Sequence, residues 1–183
     1  MPLSSVVGHA YPCQVLAKWL ERAPRAGSLV FCGPSGVGKG HVAKLFAKAL
    51  LGSTGELSNH PDYLCLVPGS KTGQYQKDQI DQVRQFAQVS SIQSQIKVCV
   101  IEKAQALGIN NTNALLKTVE EPAAPVLFIF ITELEKAVLP TLLSRSVVLH
   151  FSPASLEEVV SFLVSQDGAE KERAEELAKS SMG

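Results

Sequence analysis

Residues 33–40 read GPSGVGKG. As far as Lys39 this is the G-x-x-x-x-G-K pattern of a phosphate-binding loop. Glycines at 33, 36 and 38 let backbone N–H groups turn inward around phosphate oxygens. A helix N-terminus at 39–41 adds its dipole, and Lys39 supplies a cation for the terminal phosphates. The next position calls for Ser or Thr, whose hydroxyl ligates Mg²⁺. Here it is Gly40, which has no side-chain ligand. A tight strand-to-helix turn without a ligand is the competing account; the strand before the loop and the helix after it favour a loop inherited from a nucleotide binder.

A second half of such a site belongs at the end of a later strand, in IEKAQAL (101–107). Hydrolysing enzymes of this plan carry two adjacent acids there, one for the metal and one to polarise the attacking water. This chain has Glu102 followed by Lys103. An ammonium offers three donors and no acceptor, so it cannot take a proton from water. The remaining alternative is that Lys103 points to solvent and a glutamate elsewhere does the work, Glu120 and Glu121 being the candidates. A missing hydroxyl and a missing base point the same way, and hydrolysis by this chain is not expected.

The elements that must position these residues follow from the apolar pattern. SLVFC (28–32), DYLCLV (62–67), IKVCVI (96–101), VLFIFIT (126–132) and VVLHF (147–151) read as strands. Helical spacing marks 42–51 and 77–90, the latter through Ile80, Val83, Phe86 and Ala87. A further helix over 110–121 is opened by Asn and Thr and stopped by Pro122, and 134–144 is partly helical, limited by Pro140. Segments 52–61 and 68–76 read as loops. Continuous apolar strands alternating with helices predict an α/β fold, a five-stranded parallel sheet between helices. The pattern changes near 152–154. Ser155 and Glu158 form a capping box before one helix, and AEKERAEELAKSS follows as a polar second one. The expected domains are therefore 1–152 and 153–183, the second being the start of a small helical unit, too short to fold well alone.

Composition sets the outer limits. The chain has 183 residues, 45% apolar and 19% charged, with 17 basic and 17 acidic side chains. A neutral balance gives no general pull toward nucleic acid or membrane. Cysteines stand at 13, 32, 65 and 99 with no C-x-x-C pair. Those at 32, 65 and 99 read as small buried hydrophobes in a reducing compartment. The first residues lack a signal-peptide pattern and no apolar run is long enough to span a bilayer, so a cytoplasmic location is the expectation. Trp19, in a helix with Val15 and Leu16, reads as core. Lys71 and Lys77 flank a loop where a DNA phosphate contact is conceivable and solvation commoner.

Several stretches resemble the AAA+ module of bacterial DNA polymerase III clamp loaders. NALLKTVEEP (113–122) is similar almost letter for letter to that family's NALLKTLEEP signature. LLSRSVVLHF (142–151) resembles its SRC segment with Ser146 in place of Cys, HPD (60–62) is similar to the same group, and residues 6–40 resemble its entry segment and phosphate loop. The resemblance runs from about Val6 to Phe151. It implies an AAA+ P-loop domain followed by a helical lid, and a place beside motor ATPase subunits in a five-membered ring that opens a sliding clamp on primer-template DNA. The family has hydrolysing motor members and a delta-prime type whose own site is degenerate. Gly40 and Lys103 match the second type.

The same resemblance implies roles for two more residues. Arg145, in the SRC-like segment, is expected to act in trans as an arginine finger on a neighbour's γ-phosphate. Spacing alone would leave it in an ordinary ion pair. Thr132 is either a polar γ-phosphate sensor or a cap for the residues that follow. The degenerate nucleotide site thus comprises Gly33, Gly36, Gly38, Lys39, Gly40, Glu102 and Thr132. No cofactor is required and any ATP binding is expected to be weak. No metal is expected either, because 52–61 lacks the family's four-cysteine zinc module. Partners are the other clamp-loader subunits, with clamp and DNA indirect and no membrane. The family continues through the lid into a collar domain, whereas this chain stops at Gly183 and is expected to be monomeric alone.

Overall fold

The computed structural model describes residues 3, 6–21, 26–69 and 73–167. Five strands, β1 (Gly27–Cys32), β2 (Tyr63–Leu66), β3 (Lys97–Ile101), β4 (Val126–Thr132) and β5 (Val147–His150), form one sheet in the order β2-β3-β4-β1-β5. Every neighbouring pair is parallel, as the apolar runs predict. Among the described residues six α-helices precede, connect or follow them: α1 (Ala10–Leu20), α2 (Lys39–Leu51), α3 (Lys77–Gln88), α4 (Gly108–Glu120), α5 (Pro140–Leu143) and α6 (Leu156–Asp167).

The central strand shows why the sheet needs cover on both faces. All seven residues of β4 are buried. Leu127, Ile129 and Ile131 join Val42 and Phe46 of α2 in one core. Val126, Phe128 and Phe130 point the other way, into a second core with Ile80, Val83, Leu115 and Val119 from α3 and α4. Each such large apolar side chain contributes about 1.5–3 kcal/mol by leaving water. Trp19 is half-buried against the first core, as expected.

Several boundaries differ from expectation for local reasons. α2 starts at Lys39, at the helix N-terminus expected over 39–41 and ahead of the apolar spacing that marks 42–51, because Gly38 turns the chain at φ 96° directly into the helix. α4 starts at Gly108 rather than 110, continuing a 3₁₀ turn over Ala104–Leu107. No Asn or Thr caps it; the Thr112 hydroxyl instead donates back to the Gly108 carbonyl at 2.8 Å. A short 3₁₀ turn, Leu57–Asn59, lies within the expected loop 52–61. Pro140 does not merely interrupt a helix but opens α5 at a position where its missing N–H costs nothing. Cys32 and Cys99 are buried as read, whereas Cys65 is only partly so.

α6 opens with the expected capping box. The Ser155 N–H donates to Glu158 Oε2 at 2.7 Å and the Glu158 N–H to Ser155 Oγ at 3.2 Å. Lys77 is exposed at the start of α3. Lys71 and the expected second helix after α6 lie outside the described residues.

Asp62 pins the far edge of the sheet. It is fully buried and accepts backbone N–H bonds from Ile92, Gln93 and Ser94 at 2.7–2.8 Å. That anchors the loop leading into β3.

Candidate functional site

The carboxyl ends of β1, β3 and β4 meet in a cleft of about 300 Å³. Open parallel sheets place ligands at this end. Gly33 leaves β1 where nothing larger fits: a β-carbon there would lie 2.0 Å from the Phe151 carbonyl oxygen. The loop then closes onto α2, whose N-cap Gly38 offers no side chain. The first-turn N–H groups of α2 are therefore unclaimed by a capping side chain, the arrangement that attracts phosphate. His9 braces the loop from outside, its Nε2 donating to the Val37 carbonyl at 2.6 Å while its ring meets Phe151 edge-on.

Lys39 is 6% exposed and folds back on the loop. Its Nζ donates to the carbonyls of Gly33 and Pro34, both at 2.6 Å. Burial pushes its pKa down, opposed by the negative charge of Glu133. It lines the cleft together with Gly36, Gly38 and Gly40. A phosphate entering here would exchange with the two loop carbonyls for the ammonium protons.

Glu102 reaches the cleft from the end of β3, its backbone held on both sides. Its N–H donates to the Leu66 carbonyl at 2.9 Å, and its own carbonyl accepts from the Tyr75 hydroxyl. A β-carbon built on Gly40 would lie 3.8 Å from Glu102 Oε1, an ordinary contact with space around it. The two positions that would jointly hold Mg²⁺ are thus adjacent, and only the hydroxyl is missing. The residues present do not complete a metal site of the motor kind. Lys103 follows in a left-handed conformation, φ 47°, and lines the same cleft. A non-glycine residue in that region carries strain of about 1 kcal/mol or more.

Thr132 also lines the cleft, and its hydroxyl is already engaged. Oγ1 lies 3.0 Å from Gln105 Oε1 and from the Leu134 carbonyl, and it accepts the Leu134 N–H at 3.3 Å. That geometry performs the capping role while leaving the side chain at the cleft wall. Ser35, Gln105, Ile131 and Glu133 complete the lining and were not singled out from sequence; each stands one or two positions from a residue that was.

Of the expected site residues, Gly36, Gly38, Lys39, Gly40, Glu102 and Thr132 come together in this cleft, with Gly33 as its hinge. Arg145 does not join them. It sits after α5, half-exposed, and is ion-paired with Glu120 at the end of α4. Glu120 is thereby committed to Arg145 and does not line the cleft, and neither does Glu121. Among the described residues no helix is long and apolar enough to cross a membrane.

A family model described as "DNA polymerase III, delta subunit" matches residues 8–155. The chain is 32% identical over 155 residues to DNA polymerase III subunit delta' of Pseudomonas aeruginosa, covering 75% of this chain and 47% of that protein. It is 29% identical over 172 residues to DNA polymerase III subunit tau of Salmonella typhimurium, covering 85% of this chain and 26% of that protein. The chain thus spans half or less of the length of these curated relatives. Among solved structures, a DNA polymerase III gamma subunit-related protein from Thermotoga maritima superposes with a TM-score of 0.66 at 17% identity, covering 91% of this chain and 57% of that one. Likeness at that identity speaks for the fold alone, a parallel sheet between helices. With the family model covering most of its length, the chain belongs to the DNA polymerase III delta subunit family.

Proposed function

We propose that this chain acts as a non-hydrolysing clamp-loader subunit of the delta-prime type, supporting sliding-clamp loading in DNA replication by lending Arg145 to a neighbouring ATPase subunit. One observation carries the reading. The cleft keeps the phosphate-binding frame, yet Gly40 faces Glu102 without a hydroxyl and Lys103 stands where a water-activating base belongs. ATP binding without Mg²⁺ ligation by the loop would be weak, and no cofactor is needed for the role. Other clamp-loader subunits are the direct partners, with clamp and primer-template DNA reached through them, in the cytoplasm. The body to residue 152 serves as the AAA+ domain, and α6 begins a helical lid.

Arg145 supports the second half of the proposal by its chemistry and its place. It is half-exposed, permanently charged, and outside its own cleft. To reach a neighbour's phosphate it must leave Glu120, an exchange of one exposed anion for a more highly charged one. Fingers given in trans contribute on the order of 10³ to 10⁵ in rate in GTPase cases.

The test is reconstitution with motor subunits and this protein in its natural full length. Arg145→Ala is expected to lower ATP turnover of the complex by orders of magnitude, with assembly unchanged by size-exclusion chromatography. Unchanged turnover would overturn the finger role. The motor reading, favoured by the intact Gly36-Gly38-Lys39 frame, makes the opposite forecast. It requires phosphate release by this chain alone, abolished by Lys39→Ala.

A further inference from the structure

A second convergence of reactive side chains lies beside the phosphate cleft, at the ends of β1 and β5. Cys32 closes β1, and its register partner on β5 is His150. Glu135 opens the 3₁₀ turn that follows β4. One donor atom from each, the thiol sulfur, an imidazole nitrogen and a carboxylate oxygen, all lie within 4.8 Å of one another. Cys32 is buried beneath, while the side chains of Glu135 and His150 are 43% and 69% exposed. The trio therefore forms a three-sided cup with a thiol floor and a solvent-facing mouth.

We propose that Cys32, Glu135 and His150 bind a zinc-class divalent ion, with solvent in the fourth position. The donor set selects the ion. Thiolate with imidazole suits zinc, whereas Mg²⁺ and Ca²⁺ take oxygen ligands. The spacing agrees. Ligand bonds of about 2.0–2.3 Å in a tetrahedron put donors roughly 3.3–3.6 Å apart. His150 Nε2 and Glu135 Oε2 already stand 3.4 Å apart. From the 4.8 Å upper limit of the cluster the sulfur needs to close by roughly 1.5 Å at most, which rotation of the Glu135 and His150 side chains supplies.

The frame around the cup is rigid where it must be. Cys32 and His150 are fixed side by side by the β1–β5 ladder. The turn bearing Glu135 is tied by Thr132 to Leu134 and by the Val138 N–H to the Glu135 carbonyl at 2.9 Å. The ion would join the ends of β1 and β5 and the β4 turn, immediately behind Gly33, whose carbonyl holds Lys39. This site is unrelated to a four-cysteine module. Cys32 and His150 are far apart in sequence and meet through the β1–β5 register, with Glu135 brought in by the turn after β4, so spacing along the chain gives no sign of it.

The test uses the tag-free 183-residue chain stripped of metal and titrated with ZnCl₂ by calorimetry, and with cobalt(II) by absorption. Expected are one equivalent of zinc and a thiolate-to-cobalt charge-transfer band. Cys32→Ser should abolish the band. His150→Gln should weaken zinc binding by more than about 100-fold, beyond what an outer-shell contact contributes. Cys13→Ser should change neither. Because His150 is exposed, its variant keeps the fold and decides the matter even if Cys32→Ser does not. Absence of stoichiometric binding, or zinc affinity unaltered in His150→Gln, would overturn the proposal.

Discussion

Glu120 holds the guanidinium of Arg145 through Nε, while Nη1 of the same group donates to the Thr141 carbonyl at 2.9 Å and to Ser144 Oγ at 3.2 Å. The end of α4 and the turn after α5 are thus joined by a single, half-exposed cation. Both partners keep about 40% of their side-chain surface in water, 43% and 38%. At that exposure solvent and salt screen most of the attraction.

Arg145→Ala and Glu120→Ala are therefore each expected to change stability by less than ~1 kcal/mol in urea denaturation. A loss of several kcal/mol from either would make the arginine a structural residue. A reduced complex ATPase would then reflect damage to this subunit rather than a missing finger. The stability measurement and the turnover measurement together separate the two.

The vacancy at Gly40 makes a sharper forecast. A β-carbon fits there 3.8 Å from Glu102 Oε1, so Gly40→Thr places a hydroxyl beside a carboxylate without displacing the backbone. Two oxygen ligands then face one Mg²⁺ ion. Mg²⁺-dependent ATP affinity, read by calorimetry, should rise about 10-fold or more, equivalent to ~1.4 kcal/mol. Turnover should not appear, because Lys103 still offers no acceptor. Hydrolysis by Gly40→Thr alone would remove the base argument; hydrolysis only in combination with Lys103→Glu would uphold it.

What was legible in the sequence follows the range of the interaction. The strands that became β1, β3 and β4 are continuous apolar runs, and each is buried on both faces, so composition alone located them. The phosphate loop was legible because its glycines and lysine are contiguous. The start of α4 was not, since a 3₁₀ turn ending in Leu107 feeds the helix directly and no capping side chain marks the entry. The partner of Arg145 was named only as a class, an ordinary ion pair, because Glu120 lies a full strand away in sequence. The grouping of Cys32 with His150 was invisible for the same reason: it exists through β1–β5 register.

Gly33 tests the fold directly. Any β-carbon there meets the Phe151 carbonyl carbon and oxygen at 2.9 and 2.0 Å, and backbone cannot rotate aside as a side chain would. Gly33→Ala should cost about 3 kcal/mol or more, a drop in melting temperature of roughly 6–12 °C for a chain of this size. Gly38→Ala offers a contrast. Its nearest obstacle is the far end of His9 at 3.7 Å, and the penalty is conformational, from φ 96°. Its cost should be about 1–2 kcal/mol. Equal effects would mean that the approach of Phe151 to the loop is not tight.

Asp62 supplies the pH dependence. Burial works to raise its pKa, but the N–H groups of Ile92, Gln93 and Ser94, with His60, together outweigh it and hold the carboxyl below its ordinary 3.8. A group whose folded-state pKa is depressed stabilises the fold above its unfolded value, and that contribution fades as pH falls through the folded one. Wild-type stability should therefore decline below about pH 4, and the decline should be shallower in Asp62→Asn, which has no charge to lose. Asp62→Ala leaves three inward N–H groups without their acceptor and should cost about 3 kcal/mol at neutral pH. Urea denaturation of the three proteins between pH 3 and pH 7 reads both effects. Parallel acid profiles for wild type and Asp62→Asn would show that some other carboxylate carries the acid sensitivity.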